Sequence, residues 1–199
     1  MSATPNQARP PFDPSKLHFE FSIPDRSHRF AELILYIADR CESDPTFSAV
    51  KLNKILFYSD FEAFARLGVP ITGVAYQKLP QGPAAKAMKR VLTEMEQEHL
   101  IRVVPDKVHG YARDRVVPIR PPAPGIFPTE QIDIVEKYVR RFWNMTAKAV
   151  SEYSHGMAWK LAELNELIPY EAVFISDDPV TNEDVAHARE LAARYGWKF

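Results

Sequence analysis

One segment of this chain, residues 51–67, predicts a helix that is apolar on two separate faces. Its sequence is KLNKILFYSDFEAFARL, and apolar side chains recur in it at helical spacing. One face consists of Leu52, Ile55, Leu56, Ser59 and Ala63, and the second of Phe57, Phe61 and Phe64. A polar stripe between these faces consists of Lys51, Lys54, Tyr58 and Glu62. Because other elements must cover both apolar faces, we expect this helix at the centre of a domain.

The residues that follow predict where the central helix ends. Gly68 can adopt the left-handed conformation that ends many helices, and Pro70 prevents the helix from resuming. Residues 71–79 alternate in a way that predicts a strand, and Gly82 with Pro83 predicts a turn after it. A helix, a strand and a turn in this order carry no catalytic signature.

The rest of the chain predicts about six further helices around the central one. They are expected at residues 25–41, 84–100, from 129 onward, 146–153, after 154, and 181–196. Asp25 or Ser27, Thr129 and Ser154 are expected to cap three of them. Residues 101–104 and 113–119 predict a β-hairpin, and 168–175 suits a strand or an extended segment. The expected fold class is α+β, predominantly α, with helices around a central hydrophobic helix and a small hairpin or sheet.

Three parts are expected along the chain. Residues 1–24 are rich in proline, which predicts a flexible arm. The alternation of Leu17, Phe19, Phe21 and Ile23 within this arm also suits an edge strand or a docking peptide. Residues 25–176 are expected to form the domain, and residues 177–199 a C-terminal helix packed on it.

The composition limits the classes of function. A content of 46% hydrophobic and 12% aromatic residues indicates a folded globular chain. A net charge of −1 gives no overall attraction to nucleic acid or to an acidic membrane. The single Cys41 and the lack of an apolar signal segment or membrane span favour the cytoplasm. The scattered histidines match no metal-ligand spacing, so neither a metal nor another cofactor is expected.

Two blocks of the chain resemble the Panacea domain, the SocA-like antitoxin family. The first block is KLNKILFYSDF followed by LGVPITGVAYQKLPQGP. The second is FPTEQIDIVEKYVRRFWNMTAKAVSEYSHGMAW followed by IPYEAVF. Together they extend the resemblance over residues 26–176. The residues that match the motifs, which we expect to be structural, are Leu52, Gly68, Gly73, Tyr76, Gly82, Pro83, Ser154, His155 and Trp159.

The resemblance implies a role in a toxin–antitoxin system. Proteins of this family neutralise toxins encoded beside them, and the SocA-like type also delivers its toxin to a Clp-type protease. By this analogy the chain is expected to bind a cognate toxin protein by direct contact and to have no enzymatic activity. The analogy also implies a second role, as a proteolytic adaptor. The expected contact residues are the polar stripe and the loop after the predicted strand: Lys51, Lys54, Tyr58, Glu62, Gln81 and Lys86.

A winged-helix DNA-binding regulator is the first alternative. Basic residues occur on the predicted third helix and on the hairpin after it, in the order that such regulators use. They are Lys86, Lys89, Arg90, Arg102, Lys107, Arg113 and Arg115. The acidic second half of the helix and the strand that precedes it count against this interpretation.

A small-molecule-binding domain or an enzyme is the second alternative, with a pocket near Tyr58 or His155. Ser154 and His155 are adjacent, yet a serine at a helix start normally binds a backbone N–H, so capping is favoured over nucleophilic catalysis. His155 precedes Trp159 by four residues and is expected to stack on it along one helical face.

Overall fold

The computed structural model describes residues 16–108, 111–175 and 182–195. The chain divides into two compact units, the larger of which is His18–Asp177. The smaller unit contains helix α7, Asn182–Tyr195. Residues 181 and 196, the two ends of the helix predicted at 181–196, both lie outside the described residues. No described helix is long and apolar enough to cross a membrane.

The larger unit is predominantly helical and contains two small antiparallel sheets, which confirms the predicted fold class. Its helices are α1 (Arg26–Arg40), α2 (Ala49–Leu67), α3 (Met88–Gln97), α4 (Thr129–Phe142), α5 (Ala147–Tyr153) and α6 (Met157–Leu161). Its strands are β1 (Tyr76–Leu79), β2 (Gly82–Ala85), β3 (Ile101–Val108), β4 (Tyr111–Pro118) and β5 (Leu167–Ile168). Two short 3-10 helices cover Pro124–Ile126 and Tyr170–Phe174.

Helix α2 is the centre of this unit, as its two apolar faces predict. It contacts α1, α4, α5, both hairpins and the second 3-10 helix. The Ser48 side chain caps its start by accepting a hydrogen bond from the Lys51 N–H, 3.3 Å between heavy atoms. Gly68 ends it in the left-handed conformation, with φ at 76°, as the sequence predicts. The large apolar side chains on both predicted faces of α2 are buried, namely Leu52, Ile55, Leu56, Phe57, Phe61 and Phe64.

The strand after α2 is shorter than predicted, and the third helix starts later. Only Tyr76–Leu79 of the predicted strand 71–79 pairs with a neighbour. Gly73, with φ at 68°, interrupts the extended backbone before it. Gly82–Ala85, predicted as a turn and a helix start, is instead strand β2, which forms a hairpin with β1. Helix α3 begins only at Met88, so the predicted start at residue 84 is wrong.

Several predicted ends and caps also differ from the structure. The second hairpin is longer than predicted and pairs β3 with β4 from Ile101 to Val108. Thr129 is the first residue of α4 and not its cap; Pro128 takes the cap position without a side-chain hydrogen bond. Asp25 precedes α1 in a left-handed conformation and likewise makes no side-chain cap. The second 3-10 helix replaces most of the strand or extended segment predicted at 168–175.

Residues 18–23, which belong to the predicted flexible arm, are part of the larger unit and pack against its other residues. The His18 carbonyl accepts a hydrogen bond from the Tyr170 N–H (2.8 Å), and the Phe21 N–H donates to the Gly73 carbonyl (2.9 Å). The Phe21 ring packs against Phe64 and Tyr170, with centroids 5.4 and 5.2 Å away. These contacts hold residues 18–23 at the end of α2 and at the second 3-10 helix.

Candidate functional site

The residues of the two motif blocks meet at the hairpin formed by β1 and β2. Gly82 begins β2 with φ at 93°, a conformation that favours glycine. A Cβ at this position would overlap Oγ of Ser154 and lie 2.9 Å from Cε of Lys54. Helix α2, the hairpin and the end of α5 thus approach one another closely only because Gly82 has no side chain.

Two side chains of α2 act as hydrogen-bond partners for the outer edge of β2. The Lys54 ammonium donates to the Pro83 carbonyl at 2.8 Å, and the Asn53 side-chain oxygen accepts from the Ala85 N–H at 3.2 Å. These two groups occupy positions that a neighbouring strand would otherwise fill. Proline fits in this strand because its missing N–H would also face that outer edge. Asn53 and Lys54 therefore close the sheet on this side.

Lys54 is 2% exposed, and burial lowers its pKa to about 7. Among the described residues its ammonium has a backbone carbonyl as partner and no carboxylate. A lysine in such a place loses its proton more easily than a solvated one does. The amine is therefore partly neutral near physiological pH.

Ser154 and His155 do not form a catalytic pair. The Ser154 hydroxyl donates to the Ser151 carbonyl at 2.7 Å, at the C-terminal end of α5. The predicted capping of the next helix by Ser154 is wrong, because α6 begins at Met157 after Gly156 in the cap position. The Ser154 hydroxyl is thus occupied by backbone, with no general base bonded to it among the described residues.

Trp159 joins α6 to the first hairpin. Its indole N–H donates to the Leu79 carbonyl at 2.9 Å. The His155 ring stacks on the indole with centroids 3.9 Å apart, as the sequence predicts. The Lys78 ammonium lies 4.1 Å from the centroid of the Trp159 ring. These contacts give Trp159 of the second motif block a structural role.

Lys51 is also buried, at 0% exposure, and forms an ion pair with Asp44 at 2.6 Å. The Thr46 hydroxyl lies at the same distance from the Lys51 ammonium. The predicted polar stripe is therefore not a continuous solvent-facing surface, because its first two members, Lys51 and Lys54, face other parts of the protein. The loop before α2 covers Lys51, and strand β2 covers Lys54.

The other two residues of the stripe, Tyr58 and Glu62, line a cleft of about 280 Å³ between α2, α4, α6 and the second 3-10 helix. The Tyr58 hydroxyl donates to the Tyr153 carbonyl at 3.2 Å. Glu62 accepts from Lys137 and from the Tyr138 hydroxyl, each at 2.6 Å. Burial raises the pKa of Glu62, but these hydrogen bonds outweigh it and hold the pKa below its ordinary value.

Gln81 and Lys86 are exposed at the two ends of strand β2. Gln81 borders two further clefts, of about 330 and about 760 Å³. The smaller one runs beside Asn53 and Lys54. Of the six predicted contact residues, the structure leaves four at least partly accessible and turns Lys51 and Lys54 inward.

A buried carboxyl group that the sequence interpretation missed lies deeper in the core. Asp60 accepts hydrogen bonds from the Thr72 N–H (2.8 Å), the Thr72 hydroxyl and the Tyr76 hydroxyl (2.9 Å). Burial raises its pKa to about 6, against the effect of these donors. In the sequence Asp60 lies among the apolar residues of α2. A carboxylate at such a position could have indicated that it is buried and hydrogen-bonded. The bond that it accepts from the Tyr76 hydroxyl gives this motif residue a structural partner.

Two arginines of strand β4, Arg113 and Arg115, bind other groups of the protein. Arg113 donates to Asp106 and, at 2.7 Å, to the Pro45 carbonyl. Arg115 donates to the carbonyls of Asp44 and Glu42. Both guanidinium groups thereby hold the loop before α2, which removes two of the phosphate contacts that the winged-helix interpretation needs. Within the described ranges no cluster of His, Cys, Asp or Glu suitable for a metal ion occurs.

The polar side chains of Lys51, Lys54, Glu62 and Ser154 are engaged in contacts within the protein. A family model described as the antitoxin SocA-like Panacea domain matches residues 52–160, more than half of the chain. Comparisons with curated proteins and with solved structures gave no match. The matched region begins in α2 and ends in α6, and so includes Gly82, Ser154 and Trp159. The chain therefore belongs to the SocA-like Panacea family of antitoxin domains.

Proposed function

We propose that this protein is an antitoxin that binds a cognate toxin protein directly and blocks its activity. The observation that carries the proposal is the family match over residues 52–160. The occupied Ser154 hydroxyl fits a protein that acts by binding and not by catalysis. In this mechanism the two proteins bury complementary surface, and no bond is made or broken.

We further propose which surface the toxin contacts. Lys51 and Lys54 hold the loop before α2 and the edge of β2, so we assign them no direct contact. The contact surface then consists of exposed Gln81 and Lys86 around the first hairpin, together with Tyr58 and Glu62 in the cleft beside α4. Ser154 and Trp159 lie between these two pairs, since both line that cleft and both touch the hairpin.

Co-expression with the product of the adjacent reading frame tests the antitoxin function. We expect the neighbour to arrest growth when expressed alone, and this protein to restore growth and to co-elute with it at fixed stoichiometry. A neighbour that is harmless alone would remove the support for the proposal. Restored growth without co-elution would contradict direct contact.

Charge reversal at the hairpin tests the surface. We expect the double variant Gln81→Ala with Lys86→Glu to bind the toxin at least about tenfold more weakly. Lys89→Glu is the matched control, because Lys89 is also exposed but lies on α3, outside the proposed surface. Equal affinity of both variants for the toxin would contradict the assigned surface while leaving the antitoxin function intact.

A second role, as a proteolytic adaptor, extends the proposal. We infer that the protein, once bound, presents the toxin to a Clp-type protease in the cytoplasm. The half-life of the toxin in the presence of this protein should then lengthen in a strain without the protease. An unchanged half-life would limit the function to blocking by direct contact.

A further inference from the structure

A group of exposed apolar side chains borders the cleft that Tyr58 and Glu62 line. All four come from α6, the second 3-10 helix and the residues that follow these two elements. They are Leu161, Leu164, Phe174 and Ile175, with 61, 56, 49 and 46% of their surface exposed. Single exposed apolar side chains are common on soluble proteins, whereas a group of them beside a cleft is typical of an interaction surface.

The cleft and this group are continuous. Ile175 lines the cleft, and so does Met157 at the start of α6. Leu161 follows Met157 by four residues, which places both side chains on the same face of that helix. Phe174 directly precedes Ile175, and its ring packs on Phe64 with the centroids 5.9 Å apart. A partner that enters the cleft therefore also covers the exposed apolar side chains.

The interior of the cleft is open because small residues line it. The rings of Phe57 and Phe61 form part of its wall, with centroids 4.1 Å apart, while Ala65, Gly156 and Ala172 leave its volume of about 280 Å³ unfilled. Small-molecule sites are typically larger, at about 300–1,000 Å³. A cleft of this size instead suits an apolar side chain that a protein partner inserts as an anchor.

The polar groups of the cleft already have partners. The hydrogen bonds described above engage the Tyr58 hydroxyl and the Glu62 carboxylate, and the Trp159 indole N–H donates to the Leu79 carbonyl at 2.9 Å. A polar group placed in the cleft would have to break one of these bonds or stay unpaired, which costs free energy. The part of the partner that enters is therefore apolar.

Cations outnumber carboxylates in the contacts along the α4 side of the cleft. Arg66 and Lys137 both pair with Glu62, at 3.1 and 2.6 Å, and both side chains are more than half exposed. Arg141 lies over the Tyr153 ring, 5.2 Å from its centroid. Because three cations meet one carboxylate here, acidic residues beside the apolar anchor of the partner find complementary charge.

We propose that the cleft and the exposed apolar side chains beside it bind one amphipathic helix of the toxin, whose apolar stripe is flanked by Asp or Glu. This inference rests on the proposed function and names the part of the toxin that contacts the site. A helix is favoured over an added strand, because none of the residues that line the cleft belongs to a strand. Its apolar stripe inserts one side chain between α2 and α6 and places the next over Leu161 and Ile175.

Matched variants test this surface by titration with the purified product of the adjacent reading frame. We expect Ile175→Glu to weaken its binding at least about tenfold, because the helix would bury the new charge unpaired. Ile119→Glu is the control, since Ile119 is 52% exposed and does not line the cleft. Ala65→Trp fills the cleft and should have an effect of similar size, whereas Thr93→Trp on α3 should have none.

Photo-cross-linking identifies the occupant. Benzoylphenylalanine, an aromatic residue that cross-links on illumination, replaces Phe174 at the edge of the cleft. We expect cross-links to one toxin segment that has apolar residues three and four positions apart and acidic residues beside them. Cross-links to an extended or polar segment of the toxin, or to a second copy of this chain, would overturn the proposal.

The same titrations separate this inference from the antitoxin function. Thermal melting first checks that each variant is folded. If the wild type does not bind the product of the adjacent reading frame, the antitoxin function fails and the helix-binding cleft fails with it. If the wild type binds and both Ile175→Glu and Ala65→Trp bind equally well, only the assignment of the cleft is wrong.

Discussion

Lys54 shows at the scale of a single residue why exposure could not be predicted from the sequence alone. Helical spacing assigns this lysine correctly to a polar stripe on α2. A polar stripe usually faces water, yet here strand β2 covers it and supplies a carbonyl as partner. The Pro83 carbonyl needs a hydrogen-bond donor only when β1 and β2 pair. Nothing in the sequence of α2 indicates that pairing.

We expect Lys54→Met to change how stability depends on pH. Burial lowers the pKa of Lys54 in the folded protein from 10.5 to about 7. Between these values the unfolded chain binds a proton that the folded protein does not, so the free energy of unfolding rises with pH. The contribution of Lys54 to the free energy of unfolding is complete above pH 10.5, the pKa of lysine in the unfolded chain, and is lost as the pH falls through 7. Between about pH 7 and pH 9 it should add about 2 kcal/mol.

Urea unfolding of the wild type and Lys54→Met at a series of pH values measures this contribution. Methionine keeps an apolar stem of similar length but has no proton to release, so its free energy of unfolding should rise less over that range. Lys89→Met, at an exposed site on α3, is the control and should keep the wild-type profile. Parallel profiles for the wild type and Lys54→Met would contradict the effect of burial on this lysine.

At the scale of elements, helices were predicted better than strands. Helices α1, α2 and α5 begin and end within two residues of their predicted bounds. In α1 and α2 the reason is an apolar stripe that repeats over several turns. Strand β2 has the sequence Gly-Pro-Ala-Ala, which lacks alternation and the residue types that favour strands. Its extended conformation depends on β1 and on Asn53 and Lys54, so only the folded chain defines it.

The segment at residues 18–23 gives a prediction at the same scale. We expect Phe21→Ala to lower the free energy of unfolding by about 1–2 kcal/mol, because the ring is half-buried against Phe64 and Tyr170. Chemical denaturation measures the change. Ser22→Ala alters an exposed neighbour and should leave stability unchanged. If Phe21→Ala unfolds at the wild-type midpoint, the segment does not contribute to the stability of the domain.

At the scale of the larger unit, two segments far apart in the chain meet at one contact. Lys54 and Gly82 come from the first block, and Ser154 and Trp159 from the second. The sequence indicated that Gly82, Ser154 and Trp159 are structural and assigned Lys54 to partner contact, but it carried no sign that these residues touch. Contacts over such separations leave no periodic pattern, and a glycine with a positive φ looks the same in sequence as a glycine in an open turn.

Gly82→Ala tests how much the domain depends on this contact. An alanine there must adopt φ at 93° and place its Cβ against Ser154 and Lys54, so the hairpin has to move away from α2 and α5. We expect a loss of about 2–4 kcal/mol in the free energy of unfolding, measured by urea denaturation. Gly156→Ala is the matched control, because that glycine has an ordinary φ of −71° and open space around its Cβ position.

Because the contact joins α2, the hairpin and α5, amide hydrogen exchange in Gly82→Ala should accelerate in all three elements together. Faster exchange in the hairpin alone would mean that the blocks fold independently of each other.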